Sequence, residues 1–258
     1  MELWAYSIAG FAVGAIIGVT GVGGGSLMTP LLVLFFGVSP VTAVGTDLLY
    51  AAITKSGGVW VHARLGNVDW RRVFLLASGS IPASLVTTGA VRLFRPDTEI
   101  LSYIITHALS AALIITAVSI IYRDKLHNWA NRRLNFENKG APDYWVVFTG
   151  VILGILVTLS SVGAGVIGAT ALMLLVPALT MSRIVGTDIA HAVPLTLVAG
   201  LGHAVNGSVD WILLASLLIG SLPGIWLGSH IGNRLPDNVL RVLLASLLLL
   251  IGGRLVLF

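Results

Sequence analysis

The stretch His62-Ala63-Arg64-Leu65-Gly66-Asn67-Val68-Asp69-Trp70 occurs a second time, 141 residues later, as His203-Ala204-Val205-Asn206-Gly207-Ser208-Val209-Asp210-Trp211. Three further blocks repeat in the same order. They are VGTD at 44–47 and 185–188, GSIP at 79–82 and GSLP at 220–223, and VGGG at 22–25 and VGAG at 162–165. Four matched blocks in one order indicate an internal duplication of the chain.

The composition places this duplicated chain in a membrane. Of its 258 residues, 56% are hydrophobic and 10% are charged, whereas soluble domains carry about 25% charged residues. With no cysteine, the chain has no disulfide, thiolate metal site or thiol nucleophile. The net charge of +4 indicates membrane anchoring rather than nucleic-acid binding, because the basic residues lie in loops between apolar segments.

Ten apolar segments predict an all-α membrane protein, a polytopic helical bundle with five segments in each repeat. The first repeat covers residues 1–122, a polar connector covers 123–143, and the second repeat covers 144–258. The predicted segments lie at 3–19, 25–38, 42–61, 71–91, 100–121, 145–160, 166–181, 186–203, 211–230 and 238–257. The first two segments of each repeat are short, so they are either re-entrant half-helices joined by a glycine-rich tip or tilted full spans.

The basic residues predict that the two repeats are inverted. If each half crosses the membrane an odd number of times, Lys and Arg divide 11 to 3 between the two sides, with the connector on the richer side. A single broken span in place of each short pair would divide them 9 to 5. The first arrangement fits the positive-inside rule better, and it places the protein in the cell membrane with a cytoplasmic connector and both termini outside.

Several of these blocks resemble one known family. GVGGGSLMTP at 21–30, FGVSP at 36–40, AVGTD at 43–47 and the block at 62–70 are similar to the TauE/SafE sulfite exporter family of bacterial membrane proteins. The resemblance covers almost the whole chain. It implies a transporter of sulfite, sulfonates or other sulfur-containing organic anions, and it leaves the substrate and the direction of transport open.

The two glycine-rich tips are the first candidate binding elements. Non-helical backbone inside a membrane must line a cavity or be buried in protein, and a helix N-terminus there attracts an anion through its free N–H groups. The alternative is that the glycines only allow tight helix packing. The candidate binding residues of the tips are Thr20, Gly23, Gly24, Gly25, Ser26, Thr158, Ser160, Ser161, Gly163 and Gly165.

Four ionisable residues inside apolar segments are the second set of candidates. Lys55 is a candidate partner for an anion or for Asp47 or Asp188, unless it extends to the membrane surface. Asp47 and Asp188 are candidates for a proton relay, or they cap the helices that follow them. His191 lies one helical turn after Asp188 and either joins that relay or is a buried structural residue.

A secondary carrier that works by alternating access is the leading functional hypothesis. An anion channel or passive facilitator is the alternative. An intramembrane enzyme is disfavoured because no catalytic or nucleotide-binding motif is present. We expect no cofactor and no metal, and the sequence leaves proton coupling and a homo-oligomer open. Asp69 and Asp210 are expected to cap helices in loops.

Overall fold

A computed structural model describes residues 3–20, 25–94, 96–123, 125–126, 141–232 and 237–256, without the side chains of residues 20, 25, 26, 231–241, 243 and 256. The described residues form ten helices and no strand. The helices are α1 (Leu3–Thr20), α2 (Gly25–Phe36), α3 (Pro40–Arg64), α4 (Trp70–Phe94), α5 (Thr98–Ile121), α6 (Asp143–Ser160), α7 (Val166–Leu175), α8 (Met181–Val205), α9 (Trp211–Gly232) and α10 (Asp237–Val256). Each predicted segment contains one of these helices, so the all-α prediction is confirmed.

Five helices, α4, α5, α6, α8 and α9, are long and apolar enough to cross a membrane. Helix α3 is as long, with 25 residues, but it carries Asp47 and Lys55 among its apolar positions. Helices α2 and α7 have 12 and 10 residues. At 1.5 Å per residue they extend only about 18 and 15 Å, against a hydrocarbon core of about 30 Å. The tilted-span alternative therefore does not hold for these two helices.

The two repeats are interleaved, because the first helix of each packs on the fourth helix of the other. Helix α1 packs against α9 and α6 packs against α4. The contacts are close because glycines face backbone: a Cβ on Gly14 would lie 2.5 Å from the Ser221 carbonyl oxygen, and a Cβ on Gly154 would lie 2.8 Å from Ser80 Cα. Gly14 and Gly154 are equivalent positions in the repeat, as are Ser80 and Ser221.

The central pair, α3 and α8, runs antiparallel, and the repeated sequence blocks hold it together. Thr187 Oγ1 accepts a hydrogen bond from the Asp69 backbone N–H at 2.9 Å, and Thr46 Oγ1 accepts one from the Asp210 N–H at 3.1 Å. The start of each helix therefore lies against the loop that follows the end of the other. The Gly-Thr of each VGTD block contacts the loop of the opposite repeat.

The structure decides two predictions about helix caps. Asp69 and Asp210 do cap helices, since Asp69 Oδ1 accepts from the Arg72 N–H and Asp210 Oδ1 accepts from the Leu213 N–H. The capping role considered for Asp47 and Asp188 is wrong. Helix α3 begins at Pro40 and α8 begins at Met181, so both carboxylates lie about two turns inside their helices.

The connector side of the bundle can be identified from contacts at the helix ends. Arg71, at the start of α4, forms an ion pair of 2.7 Å with Asp143, at the start of α6. Because the connector leads into α6, its end of the bundle holds the starts of α4, α6 and α8 and the end of α3. We call this end the connector side and the opposite end the far side.

Replacing Gly154 with Ala tests the close packing of α6 on α4. The added Cβ would meet Ser80 backbone that cannot move without shifting a helix, and overpacking of this kind costs about 1–3 kcal/mol. We expect a lower thermal unfolding midpoint in detergent. Gly89→Ala, also on a helix but with open space around the added Cβ, should leave the midpoint unchanged. Equal midpoints for the two variants would contradict the packing described here.

Candidate functional site

A cluster of ionisable side chains lies inside the bundle on the central helices α3 and α8. Asp47, Asp188 and His191 are almost completely inaccessible to solvent, and Lys55 is 6% exposed. Burying charged groups in a membrane protein is costly, so they face the interior and find partners there. The four residues chosen from the sequence therefore lie in one region of the protein interior.

The second glycine-rich tip lies beside Lys55. Between α6 and α7 the backbone takes positive φ angles at Ser161 (57°), Gly163 (117°) and Gly165 (147°), which glycine adopts at little cost. These turns direct the carbonyl of Ala164 toward α3, where it accepts a hydrogen bond from Lys55 Nζ. The tip is thus non-helical backbone in the protein interior, and Lys55 holds it rather than extending to the membrane surface.

The hydroxyl groups of this tip differ in how they are used. Ser160 Oγ accepts from the Val162 N–H at 3.2 Å and donates to the Leu156 carbonyl at 2.7 Å, so it holds the tip's own backbone. Thr158 is bonded to Ser84 of α4 at 2.8 Å. Ser161 Oγ is buried, has no hydrogen-bond partner, and lies near the Asp47 carboxylate. Of the three hydroxyls, only that of Ser161 has its bonding capacity unused.

A cavity of about 100 Å³ adjoins the tip. It lies between α5, α7, α8 and α10, and runs from Arg123, just beyond the end of α5, inward to Asp188. The N-terminal residues of α7, Gly165 and Val166, line it together with the polar side chains of Ser119 and Thr170 and several apolar ones. Because one water needs only about 10–15 Å³ of such space, the cavity has room for several waters or a small anion.

The two buried carboxylates have different partners. Asp47 Oδ2 accepts a hydrogen bond of 2.5 Å from Thr29 Oγ1. Asp188 Oδ1 has no hydrogen-bond partner and rests against Gly168, where any Cβ would overlap it. Lys55 is attracted to both carboxylates but makes direct ion-pair contact with neither.

A second matched pair extends this polar region. His191 Nε2 is 2.8 Å from Ser80 Oγ, and its Nδ1 has no partner. The equivalent residues in the other repeat are Tyr50 and Ser221, where the buried Tyr50 hydroxyl lies beside Ser221 without a hydrogen bond to it. His191 and Tyr50 therefore each face α4 or α9 from the central helices.

The placement of the remaining predicted residues is mixed. Gly23 and Gly24 lie outside the described residues, as do the side chains of Thr20 and Ser26, and Gly25 is the first residue of α2. Within the described ranges, no group of three His, Asp or Glu side chains is arranged to hold a metal ion.

Sequence reasoning missed four residues of this region: Thr29, Ser80, Arg123 and Thr170. Thr29 and Thr170 are separated by 141 residues, the spacing of the other matched blocks, and Ser80 lies in the GSIP block. These signals were available in the repeat. Arg123 carried none, since it was one of several basic residues in the connector.

Comparison with known proteins agrees with this arrangement. The family described as "Sulfite exporter TauE/SafE" matches residues 6–255. "Probable membrane transporter protein YjnA" of Bacillus subtilis is 42% identical over 253 residues, covering 96% of this chain and 98% of that protein. "Probable membrane transporter protein MJ0441" of Methanocaldococcus jannaschii is 28% identical over 267 residues, covering 95% and 92%. No solved structure matches the chain.

An apolar helical bundle with buried charges beside a cavity, matched over its whole length by transporter sequences, is a multi-pass membrane transporter. The family match covers nearly the entire chain. This protein belongs to the TauE/SafE sulfite exporter family, as its repeated motifs indicated.

Gly168→Ala tests whether the Asp188 position matters for transport. The added Cβ would occupy the position of Asp188 Oδ1, so the carboxylate must move. We expect anion uptake in proteoliposomes to fall about tenfold, equivalent to about 1.4 kcal/mol. Gly57→Ala, in open space on α3, is the matched control and should transport normally. Normal uptake by Gly168→Ala would show that transport tolerates displacement of this carboxylate.

Proposed function

We propose that this protein is a proton-coupled secondary transporter of a small sulfur oxyanion, either sulfite or an organosulfonate, and that it works by alternating access. The observation that carries the proposal is the position of Lys55. Its ammonium group is buried at the glycine-rich tip and is attracted by two buried carboxylates, one of which lines the cavity. The family and the relatives are transporters, which supports transport rather than catalysis.

The anion is proposed to bind between Lys55 and the start of α7. The first N–H groups of a helix have no partner within it and carry a partial positive charge. At α7 these groups adjoin the cavity through Gly165 and Val166, next to the carbonyl that Lys55 binds. An oxyanion in the cavity would meet the helix N-terminus and would compete with the Ala164 carbonyl for the ammonium group.

Coupling to protons follows from the charges in this region. Lys55 supplies one positive charge, whereas Asp47 and Asp188 supply two negative charges when both are ionised. Adding an anion increases the negative charge in an environment of low dielectric constant, where like charges repel strongly. We therefore propose that at least one carboxylate carries a proton whenever the anion is bound. His191, close to Asp188 on α8, is the proposed relay partner.

Alternating access is proposed to rest on two inverted repeats. The antiparallel α3 and α8, the equivalent Thr46 and Thr187 contacts, and the exchanged packing of α1 on α9 and α6 on α4 support this arrangement. The division of basic residues supports a cytoplasmic connector and extracytoplasmic termini. The cavity would then face the cytoplasm in this structure.

A carrier is favoured over a channel by the end of the cavity. The cavity reaches inward to Asp188, while Asp47 and the residues around it are fully buried. A channel requires a continuous polar path across the membrane. The access that this structure offers from one side only is what a carrier needs.

Uptake of radiolabelled sulfite and of a small sulfonate by proteoliposomes tests the proposed function. We expect saturable uptake that increases several-fold when the outside is made more acidic than the inside, because the proton and the anion enter together. Saturable uptake that ignores the gradient would remove the relay role from Asp47, Asp188 and His191. No uptake of either anion by folded protein would overturn the proposed substrate class.

Lys55→Ala tests the proposed anion partner. Without the ammonium group the site is left with only negative charge, so we expect anion uptake and anion binding to be lost. Lys125→Ala is the control, because Lys125 is exposed beyond α5 and stacks near Tyr122 at 5.4 Å. Intact flux in folded Lys55→Ala would refute the assignment.

A further inference from the structure

The pair formed by Thr29 and Asp47 has an exact counterpart in the second repeat. Thr170 follows Thr29 by 141 residues, and Asp188 follows Asp47 by the same interval. In each repeat the threonine lies on the short helix, α2 or α7, and the aspartate lies on the central helix, α3 or α8. Each pair can therefore join a short helix to the central pair through one hydrogen bond.

The two pairs are in different states. Thr29 Oγ1 donates to Asp47 Oδ2 at 2.5 Å, and both side chains are completely buried. Asp188 Oδ1 has no hydrogen-bond partner, and both Thr170 and Asp188 line the cavity. The same two residue types are closed in one repeat and open in the other.

The packing around each pair agrees with this difference. On the far side, Met28, Leu32, Val44 and Leu48 are completely buried around the closed pair. On the connector side, Met173, Val185 and Ile189, which are equivalent to Leu32, Val44 and Leu48, line the cavity. Access from the far side is therefore closed at the positions where access from the connector side is open.

We propose that Thr29–Asp47 and Thr170–Asp188 are the two gates of the transporter, and that each gate closes when its hydroxyl–carboxylate hydrogen bond forms. This inference rests on the alternating-access function proposed above. Thr29 and Thr170 are positioning residues that hold α2 or α7 against the central helices. The structure shows the state in which the far-side gate is closed and the connector-side gate is open.

The central helices provide a common frame against which both gates can move. The hydrogen bonds of Thr46 and Thr187 join α3 and α8 at both ends. Asp188 already contacts α7 at Gly168, two residues before Thr170. Movement of α7 toward α8 would close the cavity and bring the Thr170 hydroxyl to the carboxylate, as α2 and α3 already show in the other repeat.

Cysteine labelling of the full-length protein tests this proposal, and it is simplified because the chain has no native cysteine. Val185→Cys places a thiol in the open cavity, and Val44→Cys places one at the equivalent buried position. In detergent, a water-soluble maleimide should react with Cys at 185 faster than with Cys at 44. Thr29→Val removes the far-side bond, so labelling at 44 should increase about tenfold while labelling at 185 slows.

Two further variants separate gating from structural damage. Thr29→Ser keeps the hydroxyl and should label like the parent protein. Thr196→Val removes a buried hydroxyl that is bonded only to the carbonyls of its own helix, including Ala192 O at 2.8 Å, and should also label like the parent. Opposite changes at 44 and 185, seen only with Thr29→Val, support the gates. Changes at neither position, or faster labelling at both, overturn them.

The labelling result is independent of the substrate. If the rates at 44 and 185 shift in opposite directions although no anion is transported, the gates stand and the proposed substrate fails. If the rates do not shift although sulfite or the sulfonate is transported, the gates fail and the proposed function stands.

Discussion

A buried ammonium group needs oxygen atoms around it, because neither lipid nor apolar side chains supply any. In this protein the nearest oxygen is the carbonyl of Ala164, which reaches Lys55 only because the backbone between α6 and α7 turns through three residues with positive φ. Asp47 and Asp188 complete the charge balance from the helices on either side. The short helix α7, the tip and the cavity all follow from bringing backbone to this one side chain.

The same economy explains the repeated motifs. A membrane interior offers little hydrophobic drive between helices, so close backbone contact and internal hydrogen bonds must hold the bundle together. Glycines on α1 and α6 let each helix approach the fourth helix of the other repeat. The Gly-Thr of each VGTD block then secures the loop that caps the opposite central helix. Each half therefore depends on the other for its packing.

The limits of sequence reasoning are clear at particular residues. Hydropathy located the helices, and the repeat spacing identified the motifs, because both depend on local composition. Asp47 and Asp188 were considered as caps because each follows a Gly-Thr pair, but both helices start about two turns earlier, where Ser39 and Thr180 are the first flanking residues. Thr29 was missed because a threonine in an apolar helix has no distinctive pattern until its carboxylate partner is seen.

The sequence by itself determined the duplication, the ten helices, the glycine-rich tips and the family, since apolar length, residue spacing and shared motifs are properties of the chain alone. Only the tertiary structure decided that Lys55 meets the second tip, that Thr29 bonds Asp47, and that Asp188 faces a cavity. Two equivalent pairs with the same residue types cannot be told apart by composition or spacing. Which of them is closed depends on how the helices pack around it, and packing is a property of the folded molecule.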